Sequence, residues 1–200
     1  MRLATTTWGA GDRVALLLHG MLGSAAQYWQ LGPALATRGY RAVAVDLPGH
    51  GDSPSATSFR SVVDSVTETM GSQPDLAIGH SFGGAVLAAA LPTFRPAKVV
   101  YVDIPFTSDS QPPDPVQLRQ DLEAAKAGRT ADSLRHTRPE WSEQDRIVEA
   151  DAARRFDVGT AVAVNLTYAA GPFPAPQTVV PSLLVCPEPT AMCQSRELLS

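Results

Sequence analysis

Short apolar runs recur along the first half of the chain and limit the folds open to it. The interior of each run is apolar instead of alternating with polar residues, which is typical of strands buried on both faces. Strands of this kind belong to parallel sheets that are covered by helices on both sides. The runs occupy residues 14–18, 41–46, 76–78 and 98–103.

Helical patterns fill the segments between these runs. The apolar residues of 59–70 recur at i, i+3, i+4, i+7 and i+11, and Gly71 follows as a stop signal. A second helix is predicted over 25–38, where Gly32-Pro33 must bend or split it, and a third over 85–91, where Pro92 is expected to end it. This alternation predicts an α/β fold, a mostly parallel, doubly wound sheet flanked by helices.

The alternation of strands and helices ends after the fourth apolar run. From Pro105 to about Pro181 the sequence shows no good strand. Asp114 is predicted to cap one helix and Ser142 a second, and a third helix is predicted over 160–168. The sheet is predicted to resume at 182–186. The division that follows is a core formed by residues 1–104 and 181–200, with a helical insertion at 105–180.

Composition excludes several function classes. The 200 residues carry a net charge of −4, and no basic stripe argues for nucleic acid as a partner. No apolar run approaches the ~18 residues that span a bilayer, and residues 1–8 lack a signal-peptide core. The two cysteines form no disulfide framework, which favours a reducing, cytoplasmic compartment. No His or Cys pair has metal-ligand spacing, so neither metal nor cofactor is expected, and the oligomeric state stays open.

The strongest chemical signal is the segment Gly79-His80-Ser81-Phe82-Gly83, which fits the pattern G-x-S-x-G. This pattern is typical of a nucleophile elbow, a sharp strand-to-helix turn that exposes a serine oxygen. An apolar strand is predicted before it and a helix after it, as that turn requires. We therefore expect Ser81 to have a positive or nearly positive φ and to act as a nucleophile.

A second loop is expected to approach the same serine. His19-Gly20-Met21 follows the first apolar run, at the end of the sheet where the turn at Ser81 is predicted. The backbone N–H groups of Met21 and Phe82 would together form an oxyanion hole.

Three blocks resemble the alpha/beta hydrolase family: His19-Gly20, the segment 46–53 (DLPGHGDS), and the segment 79–84 (GHSFGG). The resemblance implies a serine hydrolase that cleaves a small ester, thioester or related acyl compound through an acyl-enzyme at Ser81. It also implies that the helical insertion is a cap over the active site, and that the triad follows the chain order Ser, acid, His.

The resemblance leaves two candidates for the acid. Asp103 ends the strand before the insertion, a position where some members of the family carry the acid. Glu188 lies after the strand that follows the insertion, between Pro187 and Pro189, which restrict its direction. The sequence ranks Asp103 slightly ahead.

The family's histidine would follow one more helix and one more strand, yet the last of the four histidines is His136. His19 and His50 are expected to be structural, His80 to face away from Ser81, and His136 to lie at the surface. The core is therefore expected to be incomplete at its C-terminus. The alternative is a catalytically dead member of the family that serves as a binding scaffold.

Two sets of side chains in the insertion have more than one interpretation. The arginines alternate with acids and are predicted to form a solvated face. The aromatic residues either line an apolar pocket or pack within the insertion, and they are Phe106, Trp141, Phe156, Tyr168 and Phe173.

A missing base has a measurable consequence. Loss of the imidazole from a working triad costs about a million-fold in turnover. We expect the 200-residue polypeptide to hydrolyse p-nitrophenyl acetate barely above its Ser81→Ala variant. Robust turnover that depends on Ser81 would contradict these expectations for the histidines and would make His136 the first residue to mutate.

Overall fold

The computed structural model of the protein describes residues 1–71, 73–104, 112–169 and 180–186. Six strands form one sheet in the order β1-β3-β2-β4-β5-β6, in which only β1 runs antiparallel to its neighbour. The predicted doubly wound, mostly parallel architecture is confirmed. The strands are β1 (Thr5–Trp8), β2 (Arg13–Leu18), β3 (Tyr40–Val45), β4 (Leu76–His80), β5 (Lys98–Val102) and β6 (Ser182–Val185).

The central strand β2 explains why the sheet has helices on both faces. Successive side chains of a strand point to opposite faces, and Leu16, Leu17 and Leu18 are all fully buried. Leu16 and Leu18 enter one apolar cluster, and Leu17 enters another on the opposite face. The described helices are α1 (Leu31–Ala36), α2 (Phe59–Met70), α3 (Phe82–Phe94), α4 (Pro115–Gly128), α5 (Ala131–Thr137), α6 (Glu143–Arg155) and α7 (Val158–Ala169), with a 3₁₀ helix at Ala25–Tyr28.

Helix boundaries follow the local signals in most places. Ser58 caps α2 at its N-terminus, and Gly71 ends it in the left-handed conformation with φ 58°. Asp114 and Ser142 cap α4 and α6 through their side chains, as predicted.

Three elements differ from the sequence prediction. Helix α3 runs through Pro92 to Phe94, because a proline this close to the C-terminal end removes little of the hydrogen-bond ladder. The helix predicted over 25–38 is split into the 3₁₀ helix and α1, an outcome that the sequence prediction included. Strand β1 and helix α5 were not predicted.

Two of the places where the helical segment 112–169 packs against the core are apolar. Its last helix, α7, packs beside α2, where Thr167 accepts a hydrogen bond from Phe59 N–H at 2.8 Å and the rings of Tyr168 and Phe59 lie 4.7 Å apart. At the end of α6, Phe156 is buried against Leu22 in a separate apolar cluster.

Two buried histidines join the loops at the carboxyl ends of the strands. His19 Nδ1 donates to Gly20 O at 2.8 Å, and His19 Nε2 accepts from Leu47 N–H at 3.0 Å. The imidazole is therefore neutral, since a protonated ring would have no acceptor for Leu47. The ring of His50 lies 5.0 Å from that of His19 and 4.9 Å from that of Phe156.

No helix among the described residues is both long and apolar enough to cross a membrane. Cys186, after β6, is disulfide-bonded, which differs from the reduced cysteines that the sequence predicted.

The two buried histidines predict how stability depends on pH. Burial lowers the pKa of His19 and of His50 below the ordinary value of 6.5, and their proximity lowers that of His19 further. Below pH 6.5 the unfolded chain therefore binds protons that the folded chain does not. The free energy of unfolding should fall on acidification, with a slope approaching about 1.4 kcal/mol per pH unit for each histidine.

Urea unfolding at pH 7.5, 6.5 and 5.5 measures this slope. The variant His50→Phe should flatten it by about a third, because His19 and His80, whose pKa values are also lowered, keep their contributions. His136→Gln, which changes an exposed histidine on α5, is the control and should leave the slope unchanged. An equal slope in His50→Phe and the parent would contradict the assignment.

Candidate active site

Ser81 occupies the turn between β4 and α3. Its φ is 47° and its ψ is −115°, a conformation that costs a non-glycine residue about 1–3 kcal/mol. The turn is held by Ser81 N–H, which donates to Val102 O on β5 at 2.9 Å, and by Ser81 O, which accepts from Gly84 N–H at 2.9 Å. The positive φ predicted for an elbow is present.

The glycines of the motif are required by close backbone packing. A Cβ on Gly83 would lie 2.4 Å from Leu18 O and 2.5 Å from His19 O, and a Cβ on Gly79 would lie 2.7 Å from Gly83 O. A Cβ is not found this close to a non-bonded atom, so α3 can approach β2 and β4 only with glycine at both positions.

The loop after β2 meets Ser81 from one side. A Cβ on Gly20 would lie 3.3 Å from Ser81 Cβ and 2.8 Å from His80 Nδ1, so the loop and the turn are in contact at Gly20. Met21 follows and lines the same cleft as Ser81.

Phe82 begins α3, where the first N–H groups of a helix have no acceptor within the helix. Its ring packs 6.3 Å from the rings of both His50 and Phe59. The ring is thus part of the core, and only the backbone of Phe82 is relevant to the predicted oxyanion hole.

Asp103 lies directly after β5 and lines the cleft with Ser81. Its φ is 48°, and its N–H donates to Val185 O of β6 at 2.8 Å. Glu188, the other candidate acid, lies outside the described residues.

The expectation for His80 was wrong, because its side chain lines the cleft beside Ser81. Alternation of side chains across a strand predicted the opposite, but it applies only while the backbone stays extended, and the positive φ of Ser81 breaks it. Partial burial lowers the pKa of His80, while the carboxylates of Asp103 and Glu149 act to raise it. The imidazole is consequently neutral at neutral pH.

The remaining histidines lie away from the cleft. His19 and His50 are buried beneath the loops, with 1% and 2% of their surface exposed. His136 is exposed on α5, where its Nδ1 lies 2.8 Å from Asp132 O. His136 is therefore the surface histidine that the sequence predicted.

The cleft has a volume of about 830 Å³. Its floor comes from the loop after β2, the Ser81 turn and the end of β5, and its roof comes from α4, α5, α6 and their connections. The floor contributes Gly20, Met21, Gln27, His80, Ser81 and Asp103, and the roof contributes Ala125, Gly128, Arg129, Ser133, Leu134, Thr137, Arg138, Trp141 and Glu149.

A polar network that the sequence did not indicate joins floor and roof. Glu149 on α6 accepts a hydrogen bond from the Gln27 side chain and pairs with Arg129 at 3.1 Å. Beside the network lies a pocket of about 280 Å³, walled by Trp29 and Trp141. Gln27 and Glu149 are 122 positions apart, so no local pattern could have revealed their pairing.

The aromatic residues of the segment divide between cleft and core. Trp141 lines the cleft, whereas Phe156 and Tyr168 pack within the protein. Phe106 and Phe173 lie outside the described residues. Among the residues that the structure describes, no group of His, Cys, Asp and Glu side chains could hold a metal ion.

Comparison with known sequences agrees with this geometry. A profile of the alpha/beta hydrolase family matches residues 15–199. The magnesium-chelatase 30 kDa subunit of Rhodobacter capsulatus is 38% identical over 101 residues, which are 46% of this chain and 35% of that protein. The chain thus spans about a third of the length of this curated relative.

Two solved structures share the fold. The N-formylmaleamic acid deformylase of Pseudomonas putida superposes with a TM-score of 0.74 at 19% identity, covering 97% of this chain and 81% of that one. An esterase from Exiguobacterium antarcticum superposes with a TM-score of 0.70 at 15% identity, covering 91% and 75% of the two chains.

The close packing at Gly83 predicts how adding one methyl group there changes stability. Gly83→Ala should lower the free energy of unfolding by about 2 kcal/mol or more, because the new Cβ would overlap two backbone oxygens that cannot move independently. The measurement is urea denaturation followed by circular dichroism.

Gly128→Ala is the matched control, since a Cβ there would meet nothing within 4 Å. At the end of α4 it should leave stability unchanged or raise it by up to ~1 kcal/mol. Similar effects of the two substitutions on stability would show that contact with the backbone at the end of β2 is not the reason that position 83 requires glycine.

Proposed function

We propose that this chain, which belongs to the alpha/beta hydrolase family, is a serine hydrolase that cleaves a small ester, thioester or related acyl compound. One observation carries the proposal. Ser81 sits in a strained strand-to-helix turn on the floor of a cleft large enough for a small organic molecule. Strain of this kind persists where the surrounding structure enforces it, and it is concentrated at functional sites.

The proposed reaction uses the serine oxygen as the nucleophile. Ser81 Oγ attacks the substrate carbonyl and loses its proton to an imidazole, and the tetrahedral intermediate places its negative oxygen against the N–H groups of Met21 and Phe82. The leaving group takes the proton and departs, which leaves an acyl group on Ser81. Water then attacks the acyl group on Ser81 and gives its proton to the imidazole. Ser81 Oγ takes that proton as it leaves, and the acid is released.

We assign the acid of the triad to Asp103, in preference to Glu188. The support is its place in the same cleft as Ser81 and its influence on the pKa of His80. Its φ of 48° is unusual for a non-glycine residue, and its N–H is held by β6, so the local backbone is fixed.

The base has two candidate sources. Among the described residues, His80 is the histidine that lines the cleft. The family's own pattern would instead draw the histidine from residues beyond His136, where this sequence contains none. The two sources make opposite predictions for a His80 variant.

We further propose that residues 105–180 act as a cap on a core of 1–104 and 181–200. The support is that α4, α5 and α6 provide the roof of the cleft, so their side chains would contact whatever group extends from the reacting carbonyl. An esterase and a deformylase of similar fold are in keeping with acyl chemistry. The competing possibility is a binding scaffold without catalysis.

Labelling with a fluorophosphonate tests the proposal directly, since this reagent phosphonylates activated serines. On the natural protein we expect one adduct, located at Ser81 by peptide mass spectrometry and lost in Ser81→Ala. Ser133→Ala is the matched control, because Ser133 lines the same cleft from within α5 and should not affect labelling. An adduct at Ser133, or none on a folded protein, would favour the scaffold.

The same assay assigns the acid and the base. Asp103→Asn should slow labelling by about a thousand-fold or more if Asp103 orients the imidazole, and Glu188→Gln should not. If His80 is the base, His80→Gln will abolish labelling as completely as Ser81→Ala. Retention of labelling in His80→Gln would place the base elsewhere.

A further inference from the structure

One arginine of the helical segment 112–169 differs from the others in its ion pairing, which the sequence did not show. All but one form an ion pair with a carboxylate of the described residues, as expected for a solvated face. The pairs are Arg119–Glu123, Arg129–Glu149, Arg135–Asp132, Arg135–Glu143, Arg146–Glu143, Arg154–Asp151, Arg155–Asp151 and Arg155–Asp52. Arg138 has no carboxylate partner among the described residues, and it lines the cleft above Ser81.

The backbone of Arg138 is held by its surroundings, and its side chain is exposed. It ends α5, where its N–H donates to Leu134 O at 2.9 Å, and its carbonyl accepts from Arg146, whose side chain is only 14% exposed. One guanidinium nitrogen donates to Thr137 O at 2.8 Å, and Cζ lies 5.9 Å from the ring centroid of Trp141. The remaining guanidinium donors have no hydrogen-bond partner within the part of the chain that the structure describes.

The other charged side chains among the described lining of the cleft do not pair with Arg138. Glu149 is already matched by Arg129 and hydrogen-bonded by Gln27. Asp103 lies on the floor, where it influences His80. Among the described residues, the roof therefore offers one cation without a paired carboxylate to any molecule whose carbonyl lies at Ser81.

We propose that Arg138 binds a carboxylate of the substrate, so that the preferred substrates are acyl compounds that also carry a carboxylate group. This specificity rests on the proposed function of Ser81. A guanidinium holds its donors in a planar fork that matches a carboxylate, and a charge-assisted hydrogen bond is about twice as strong as a neutral one. The substrate class is a monoester of a dicarboxylic acid or an ester of a hydroxy acid.

Binding to the Ser81→Ala variant tests the inference without turnover. Two matched pairs of ligands differ only in the carboxylate: monomethyl and dimethyl glutarate place it on the acyl side, and acetoxyacetate and its methyl ester place it on the leaving-group side. Tryptophan fluorescence is the readout, because Trp141 lines the cleft. In at least one pair we expect the carboxylate to bind about ten-fold tighter, and the preference to weaken at high salt.

Arg138→Gln should remove this preference by weakening the carboxylate ligand about ten-fold and leaving the neutral one unchanged, and Arg138→Lys should retain part of it. Arg154→Gln is the control, since Arg154 is 72% exposed and paired with Asp151 on the outer surface. A preference that survives Arg138→Gln, or no preference in either pair, would overturn the inference.

The outcomes separate this inference from the proposed function. If Ser81 is labelled but Arg138→Gln changes nothing, the hydrolase stands and the specificity is wrong. If the preference depends on Arg138 but Ser81 is never labelled, the cleft binds carboxylates without acyl transfer at Ser81.

Discussion

The structure around Ser81 depends on how closely three stretches of backbone approach one another. Helix α3 contacts the carbonyls that end β2, and the loop after β2 contacts the turn, with distances that leave no room for a Cβ at Gly20, Gly79 or Gly83. This crowding maintains the positive φ of Ser81, since relaxation of the turn would have to displace a central strand. The free energy gained by burying the apolar residues of β2 and β4 thus offsets the strain at Ser81. The strained turn directs the Ser81 side chain into the cleft.

A second level of organisation joins this turn to the helices above it. His19 connects the loop after β2 to Leu47, His50 packs on His19, and Phe156 packs on His50. These ring contacts therefore extend from the start of the loop after β2, the candidate oxyanion loop, to the end of α6. Since both imidazoles are buried and neutral, the connection depends on packing and on hydrogen bonds of neutral groups. The roof is positioned by the same residues that shape the floor.

The sequence predicted the features that local physics controls. Apolar runs located the buried strands, and caps located α2, α4 and α6, because burial and helix termini leave a signal within a few residues. Strand β1 left none: three of its four residues are exposed threonines, and it exists through pairing with β3. The direction of His80 and the role of Arg138 depend on a single backbone torsion and on contacts between distant segments, which no pattern of neighbouring residues encodes.

The path of the chain between β5 and β6 has a consequence for how such a protein can diversify. These two strands are direct parallel neighbours, so the chain leaves the sheet after Val102, at the carboxyl end of β5, and re-enters it beside the amino end of β5, where Val99 N–H bonds to Pro181 O. Helix α7 packs into the core and is part of the architecture, but α4 to α6 contact the sheet mainly through the loops that form the floor. Substitutions or insertions in those three helices can remodel what the cleft accepts while the turn at Ser81 keeps its geometry. The residues that line the cleft from above and the turn that holds Ser81 therefore belong to separate stretches of the sequence.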